Sequence, residues 1–457
     1  TAEPEMVTAS AFNRLYALRL DGSEIWMANL SSWIETFPVI ADVDGDKFLD
    51  VLIATTYEIY ALKGSDGSLI WKVRLPYFPG RPDSTPIPMY LMVTKGEIGK
   101  NIVLISRRGS VFVYNSSGML LNYRLNSADP NSVSPPATYD FDGDGIWEIA
   151  VKVGDSLYLF SQNLKNYPNF PIRVQPSKWL LIWDFTGDGE PEILTCGHKN
   201  TLVSYVGDIL LVDSSAYNPN GYCIPVDFNG DGKFDVVQYH PVYASSSPVG
   251  VYSVDTQFVL LSSFPEDANL RGRMASTVDI NNDGKGEIII SDARSYLHAY
   301  SEIRRDFYGF PIDLSDHNRF RSNTVYSIPS AVEYGNHLYI FAPTEANKLY
   351  SWKIYGGKVV WGMPFYNRWA TNSPIDSLPD EVSVVALREE KKEKNVSVEF
   401  GRDEIRIFGK AWVSVYSVDG RRLIKEYVDG QKEIKLDLPR GIYMVKVGKR
   451  VFKFLKK

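Results

Sequence analysis

Cysteine and histidine are scarce in this sequence, which has two cysteines and five histidines among 457 residues. Two cysteines are too few for a disulfide framework. Two alternatives stay open for Cys196 and Cys223: a disulfide between neighbouring repeats, or two buried thiols. The histidines show no zinc-binding spacing. No G-x-S-x-G motif and no phosphate-binding glycine loop are present, so the sequence gives no direct sign of catalysis.

Long apolar runs are also missing. No stretch reaches the roughly 18 apolar residues of a membrane span, and the residues from Thr1 onward do not have the pattern of a signal peptide. Hydrophobic residues make up 44% of the chain and charged residues 23%, a globular composition that excludes a disordered chain.

The most informative feature present is an acidic nine-residue motif, D-F-D-G-D-G-I-W-E, at Asp140 to Glu148. Oxygen-bearing side chains at positions 1, 3, 5 and 9, with a backbone carbonyl at position 7, match the first part of an EF-hand-type calcium loop. The motif occurs five times, each time before an apolar run, which disfavours solvated turns. The predicted metal ligands are Asp42, Asp44, Asp46, Phe48 and Asp50; Asp140, Asp142, Asp144, Ile146 and Glu148; Asp184, Thr186, Asp188, Glu190 and Glu192; Asp227, Asn229, Asp231, Lys233 and Asp235; and Asp279, Asn281, Asp283, Lys285 and Glu287.

These loops account for the acidic charge of the chain. The formal net charge is −6, but 17 of the 55 acidic residues stand at side-chain ligand positions. The other 38 face 49 Lys and Arg residues, so the rest of the chain has a basic excess of 11. The basic residues are dispersed and form no continuous stripe, which makes nucleic-acid binding an unfavoured interpretation.

The loops recur at intervals that indicate a repeat architecture. The first residues of successive loops are separated by 98, 44, 43 and 52 residues, and the first interval is two periods long. Four antiparallel strands in about 45 residues are typical of a β-propeller blade. We therefore predict an all-β protein with an eight-bladed β-propeller, or alternatively a seven-bladed one, followed by a small β-sandwich. The predicted blades are 1–35, 36–80, 81–130, 131–174, 175–216, 217–267, 268–320 and 321–366.

Two repeats keep the strand pattern without the ion loop. One is Met89 to Ser106, and the other is Ser330 to Pro343, where a Tyr334-Gly335-Asn336 hairpin replaces the loop.

The first repeat begins inside a loop. Glu3-Pro4-Glu5-Met6-Val7 matches Glu190-Pro191-Glu192-Ile193-Leu194, the second half of a loop and the following strand. We expect a first blade without its inner strand, in a fragment or processed form of a longer polypeptide. Alternatively, this blade has three strands by nature, or it borrows a strand from residues near 378–387.

The composition changes after residue 366. Residues 367–395 form a predicted linker that includes the charged run R-E-E-K-K-E-K-N. Residues 396–457 alternate apolar and polar side chains between glycine turns, which predicts the small sandwich.

The loops and strand spacing of residues 3–366 resemble the FG-GAP, or integrin-α-like, repeat family, and V-D-F-N-G-D-G-K-F-D-V-V at Val226 to Val237 is a close match. The resemblance implies a calcium-bearing propeller used for adhesion or ligand binding. The tail, with V-S-V-Y-S-V-D-G-R-R-L at Val413 to Leu423, resembles the C-terminal sorting domain of the type IX secretion pathway. That resemblance implies export across an outer membrane, with the tail acting as a cleaved sorting signal or staying as a retained module.

The calcium ions, about five, are expected to be structural, because each neutralises carboxylates that repel one another within one turn. Millimolar extracellular calcium fills weak loops of this kind. We therefore expect a secreted or cell-surface protein whose leader has been removed.

The turns between second and third strands and the blade-to-blade connections are expected to share the face opposite the ion loops. Guanidinium groups bind carboxylates and sulfates, and aromatic rings stack on sugars. This face is a candidate site for an extracellular glycan, such as an anionic polysaccharide, or for a protein ligand; the alternative is that its basic residues are scattered without function. The candidate ligand residues are Arg107, Arg108, His198, Lys199, His240, Arg271, Arg273 and Arg294, with the aromatic residues Trp33, Phe78 and Tyr167.

Three functions stay open at this level. The favoured one is a non-enzymatic binding or adhesion module within a larger exported polypeptide, whose upstream segment is itself a potential partner. The second is the accessory part of an exported peptidase. The third is a polysaccharide lyase of the rhamnogalacturonan type, which a basic face would suit.

Overall fold

The computed structural model describes residues 5–10, 13–81, 83–197, 199–213, 222–239, 249–254, 258–263, 275–291, 296–303, 306–314, 329–343, 349–361, 397–400, 404–417, 422–435, 441–447 and 450–456. Strands dominate these residues, and the fold is an eight-bladed β-propeller followed by a separate β-sheet. No helix in the described residues is long and apolar enough to cross a membrane.

The first four blades are antiparallel sheets whose strands follow one another in chain order. Their strands are β1 (Met6–Ala9), β2 (Arg14–Leu18) and β3 (Glu24–Asn29); β4 (Val39–Ala41), β5 (Asp50–Ala54), β6 (Glu58–Lys63) and β7 (Leu69–Arg74); β8 (Pro88–Lys95), β9 (Lys100–Ser106), β10 (Val111–Asn115) and β11 (Leu120–Arg124); and β12 (Ala137–Tyr139), β13 (Glu148–Val153), β14 (Ser156–Phe160) and β15 (Ile172–Arg173). A short 3₁₀ turn at Pro130–Ser132 precedes the fourth blade.

The next four blades continue the same order. Their strands are β16 (Ser177–Trp183), β17 (Glu192–Gly197), β18 (Thr201–Val203) and β19 (Ile209–Val212); β20 (Cys223–Val226), β21 (Asp235–Tyr239), β22 (Val249–Ser253) and β23 (Val259–Ser263); β24 (Ser276–Asp279), β25 (Glu287–Ser291), β26 (Tyr296–Tyr300) and β27 (Ile312–Asp313); and β28 (Ser330–Tyr334), β29 (His337–Pro343) and β30 (Leu349–Tyr355), after which comes β31 (Lys358–Trp361). Apart from β31, the strands of each sheet fall within one predicted repeat, and the prediction of eight blades is confirmed.

Apolar faces of neighbouring sheets build the core. Between the first two blades, Leu15 and Ala17 pack with Val51 and Ile53. Between the last two blades, the buried cluster includes Ile289 and Ile340. Burial of both faces explains why the second strands are mostly apolar after their first, acidic residue: all residues of β5, β13, β17 and β25 are buried.

Outer-strand tryptophans connect successive blades. The indole Nε1 of Trp26 donates a hydrogen bond of 2.7 Å to the carbonyl of Gly64 in the next blade. Trp71 makes the same contact one blade later, with 2.9 Å to the carbonyl of Ser116. The Trp26 ring packs closely against the turn between β6 and β7. A Cβ on Gly67, at φ +71°, would lie only 2.7 Å from this ring.

The eighth blade ends differently from the sequence-based expectation. β31 does not add a fourth strand to β30 but pairs with β24, the inner strand of the seventh blade. Gly356 and Gly357, with φ of +74° and +80°, turn the chain at this point. A Cβ on Gly357 would lie 3.1 Å from the carbonyl of Ile280, so only glycine lets the chain pass this close to the ion loop.

The C-terminal strands belong to a second compact unit. They are β32 (Ser397–Phe400), β33 (Glu404–Ser417), β34 (Arg422–Lys435), β35 (Gly441–Val447) and β36 (Arg450–Lys456). Hydrogen bonds join β32, β33, β35 and β36 in that order, and β34 pairs with β33. Ile405, Ile407, Val413 and Val415 of β33 are buried, whereas Arg406 is exposed, which agrees with the alternation that the sequence shows.

Candidate functional site

Each acidic motif forms the turn between the first and second strands of a blade. The five turns are therefore equivalent positions on one face of the propeller, here called the loop face. They connect β4 to β5, β12 to β13, β16 to β17, β20 to β21 and β24 to β25. The structure thus places all twenty-five predicted ligand residues within five β-hairpins, as the spacing indicated.

The loops share one backbone conformation. Positions 4 and 6 have positive φ in every loop, including the non-glycine residues Lys47 at +72° and Asn282 at +60°. The position-1 carboxylate accepts backbone N–H groups from this turn, as when Asp184 accepts from Gly187 at 2.7 Å and from Gly189 at 3.0 Å. The turn is therefore built around the first carboxylate.

The remaining ligand positions repeat the same pattern. The position-5 carboxylate accepts the N–H of position 7 at 2.7 to 2.9 Å in all five loops. The last carboxylate accepts the N–H of position 2, as when Asp50 accepts from Val43 at 3.0 Å. Position 7 uses its backbone, which explains why its side chain varies among Phe48, Ile146, Glu190, Lys233 and Lys285.

Three loops bring carboxylates together closely enough for one cation. In each, three residues offer one oxygen apiece, and these oxygens lie within 4.8 Å of one another; the groups are Asp42, Asp44 and Asp50; Asp140, Asp142 and Glu148; and Asp184, Asp188 and Glu192. In the other two loops position 3 is an amide. The side-chain amide of Asn229 donates a hydrogen bond of 3.0 Å to Asp231, and that of Asn281 donates one of 2.9 Å to Asp283. An asparagine oxygen is also a ligand that calcium accepts.

Burial makes these carboxylates difficult to ionise without a counterion. It raises the pKa of Asp50, Asp140 and Glu192 to about 6. The same cause raises the pKa of Asp235 and Glu287 to about 7. Nearby carboxylates add to the effect, as Asp44 and Asp46 do at Asp50.

One oxygen tests directly whether a cation fits. Oδ1 of Asp140 is buried and has no hydrogen-bond partner, whereas Oδ2 accepts the N–H of Gly145 at 3.1 Å. A buried anionic oxygen without a donor is unfavourable. An all-oxygen donor set with an orphaned carboxylate oxygen is chemistry that a hard cation satisfies, so the residues present fit calcium.

Two features of this face could not be identified from the motif. The ammonium of Lys63 on β6 lies 3.1 Å from Asp44 and 2.9 Å from Asp46. Lys285 forms an ion pair with Glu302. Both lysines lie beside loop carboxylates. Lys63 reaches its loop because β6 pairs with β5, and this pairing cannot be read from the motif.

The opposite face, here called the connection face, carries part of the predicted ligand surface. Arg107 and Arg108 occupy the turn between β9 and β10, and Lys199 precedes β18; all three are exposed. Arg107 is paired with Glu35 at 2.7 Å. The other candidates, His198, His240, Arg271, Arg273 and Arg294, lie outside the described residues.

The aromatic candidates are corrected in part. Trp33 is on the connection face and 65% exposed. Phe78 instead packs its ring 4.8 Å from that of Tyr123, so it is a packing residue. Tyr167 lies between β14 and β15, the third and fourth strands, and antiparallel geometry returns that connection to the loop face. Two aromatics that the sequence analysis missed, Tyr57 and Tyr77, are 53% and 67% exposed on connection-face segments.

The two cysteines join neighbouring blades. Cys196 on β17 and Cys223 on β20 form a disulfide with a Cα–Cα distance of 6.2 Å. Of the two alternatives left open by the sequence, the structure has the disulfide between repeats.

Comparison with known proteins finds similarity among solved structures. No family model and no curated protein matches the chain. Among solved structures, BamB from Moraxella catarrhalis aligns with 77% of this chain and 91% of its own at 14% identity and a TM-score of 0.46. Dihydro-heme d1 dehydrogenase NirN in complex with DHE aligns with 77% of this chain and 73% of its own at 11% identity and a TM-score of 0.49. The C-terminal WD40 domain of Sif2 aligns with 75% and 90% at 12% identity and a TM-score of 0.46. At these levels of similarity no activity or ligand transfers to this chain.

Proposed function

We propose that this chain is a calcium-stabilised β-propeller that serves as an extracellular binding module. The observation that carries the proposal is the shared backbone construction of the five loops, in which backbone N–H groups hold the carboxylates in place, together with the convergence of carboxylate oxygens in three of them. Calcium supplies the positive charge that these groups lack among themselves. In this role each ion holds the two inner strands of one blade at their turn.

An exported location is supported by two features. The disulfide between Cys196 and Cys223 is of a kind that persists in oxidising compartments. Each loop supplies its ligands from a single nine-residue turn. Such weak sites fill at millimolar calcium and not at the lower calcium concentration of the cytosol. The FG-GAP-like repeat and the sorting-domain-like tail agree with this location as resemblances of sequence.

The binding surface that we propose is the connection face around the first three blades. Trp33, Tyr57 and Tyr77 expose aromatic rings there, and Arg108 adds an exposed guanidinium. Rings that stack on sugars and a cation that binds carboxylate or sulfate suit an anionic polysaccharide. A protein ligand with acidic side chains is the alternative occupant.

Calcium binding is tested by isothermal titration of the chelator-treated protein. We expect about five equivalents of calcium, because five loops share the same scaffold. Absence of binding at millimolar calcium would remove the proposed function.

Ligand binding is tested with polygalacturonate and a sulfated polysaccharide. Tyr77→Ala and Arg108→Ala should each weaken retention on the immobilised polymer, whereas Arg173→Ala, an exposed arginine on an outer strand, should not. Equal retention of all variants argues against this surface. A parallel incubation with rhamnogalacturonan reports a lyase of that type, since the unsaturated product absorbs in the ultraviolet.

A further inference from the structure

Within the part of the chain that the structure describes, the inner edge of the first blade is open. Its strand β1 pairs with β2, and no other described residue pairs with it. All four residues of β1 are half-buried, whereas the residues of β5, the second strand of the next blade, are fully buried. An exposed strand edge leaves backbone donors and acceptors ready to pair with a further strand.

The register shows which strand of a blade β1 is. On the outer side of the first two blades, Ala17 pairs with Trp26 just as Ala61 pairs with Trp71. Both ladders have a bulge directly after these alanines. The two blades are therefore equivalent at this point.

The next ladder extends the equivalence to the ion loop. It pairs the first alanine with Val7 and the second with Leu52. Counting back two residues from each puts Glu5 at the place where the second blade has Asp50, the last ligand of its loop. The structural register thus gives Glu5 a metal-ligand position, independently of the sequence match with Glu192.

We propose that the open edge of β1 binds an extended polypeptide segment that ends in an Asp-x-Asp-Gly-Asp type half-loop, with Glu5 completing a sixth cation site. The occupant is specified by the other blades, where an apolar inner strand covers the second strand and leads directly into the loop carboxylates. Such a segment buries the half-exposed side chains of β1 and brings its carboxylates next to Glu5. The cation part of this inference depends on the proposed calcium function, whereas the strand pairing does not.

The test adds an inner strand and half-loop to the first blade by copying them from the fifth blade. Replacing residues 1–2 with a copy of residues 177–189 reproduces, up to Glu5, the order of the fifth blade. We expect amide hydrogen exchange of Met6–Ala9 to slow to the rates of β5. An extension of the same residues in scrambled order is the control, and a synthetic peptide of residues 177–189 added to the unextended chain is the second measurement. If neither the extension nor the peptide protects Met6–Ala9 beyond the control, the inference is overturned.

The cation count provides the second readout. The extended chain should bind one calcium ion more than the unextended chain, and Glu5→Gln in the extended chain should abolish that extra ion while the amide protection stays. Protection without an extra ion overturns the role of Glu5. An unextended chain that binds no calcium at all defeats the proposed function, while the exchange measurement still decides the strand pairing.

Discussion

At the scale of single residues, the charge of Asp50 has opposite effects with and without calcium. Its carboxylate is buried and burial raises its pKa to about 6, so near pH 7.5 its charge lowers the stability of the folded state unless a cation is bound. Asp50→Asn keeps an oxygen that can accept the Val43 N–H but removes the charge.

We therefore expect Asp50→Asn to destabilise the calcium-loaded protein by about 1 to 3 kcal/mol, through weaker ion binding. With excess chelator the variant should be as stable as the parent or more stable. Urea unfolding under both conditions measures this. The matched control is Asp66→Asn in the same blade, where an exposed aspartate caps a turn by accepting the Ser68 N–H; a similar calcium dependence there would contradict the assignment.

Lys152 is a residue whose role sequence analysis did not foresee. Its side chain is fully buried on β13, and its Nζ donates a hydrogen bond of 2.7 Å to the Ser177 carbonyl in the next blade. Burial lowers its pKa to about 8. In the sequence, Lys152 is a single polar residue within an otherwise apolar run. Only the packing of the two blades shows that its ammonium is buried.

The pH dependence of stability follows from this shift. Between about pH 8 and the ordinary lysine value near 10.4, the unfolded chain binds the proton and the folded chain does not, so this group makes stability rise with pH. We expect a contribution of up to about 2 kcal/mol between pH 8 and 9.5. Urea unfolding at several pH values and constant calcium measures this. The free energy of unfolding of the parent should rise with pH relative to that of Lys152→Met, and an equal pH dependence in the two proteins would contradict the assignment.

At the scale of elements, the hairpin between third and fourth strands determines how blades dock. Gly22 and Gly67 occupy the same turn in successive blades with φ of +81° and +71°. A Cβ on Gly67 would lie 2.7 Å from the Trp26 ring, whereas a Cβ on Gly22 meets nothing within 4 Å.

Alanine at the two positions should separate docking from backbone strain. Both substitutions carry the cost of a left-handed alanine, about 1 kcal/mol. Gly67→Ala should lose about 1 to 3 kcal/mol more, because the tryptophan must move. Thermal unfolding of the two variants checks this; equal losses would show that the Trp26 contact does not hold the blades together.

The elements also show what the sequence could and could not predict. The loop spacing places β5, β13, β17, β21 and β25 because the last ligand begins the strand and the apolar run continues it. The destination of β31 was not predictable, since Lys358-Val359-Val360-Trp361 resembles any outer strand. The turn of Gly356 and Gly357 against the seventh blade redirects it. The error at Tyr167 has a similar origin, because a long third-to-fourth connection reads like a link between blades.

At the scale of the whole molecule, the disulfide is a covalent link between repeats. Cys196 and Cys223 are separated by 27 residues, and closing a loop of this size stabilises a folded chain by about 3 to 4 kcal/mol through the unfolded state. Replacing both cysteines with serine should lower the free energy of unfolding by that amount. An intact mass that shows two free thiols in the native protein would contradict the link.

The proposed binding surface depends on the ring as a whole, which is why the sequence predicted its residues incompletely. Arg107 reads as a candidate ligand group, yet in the fold it pairs with Glu35 across two blades. Trp33, Tyr57 and Tyr77 come from three separate connections, and only the ring places these connections on one face. Local patterns located the acidic loops, whose residues are neighbours in sequence, better than the residues of this dispersed surface.

Thermal unfolding between pH 5.5 and 7.5, in millimolar calcium and in excess chelator, tests the central claim that the loops are cation sites within the blades. Without calcium, the raised pKa values of Asp235 and Glu287, about 7, mean that the folded state binds more protons than the unfolded state, so stability should fall as pH rises. With calcium bound, these carboxylates are ionised in the folded state as they are in the unfolded state, so stability should stay nearly constant over this range. The account predicts a melting temperature that is higher in calcium, with a gap that widens towards pH 7.5. Superimposed melting curves across this range would contradict it.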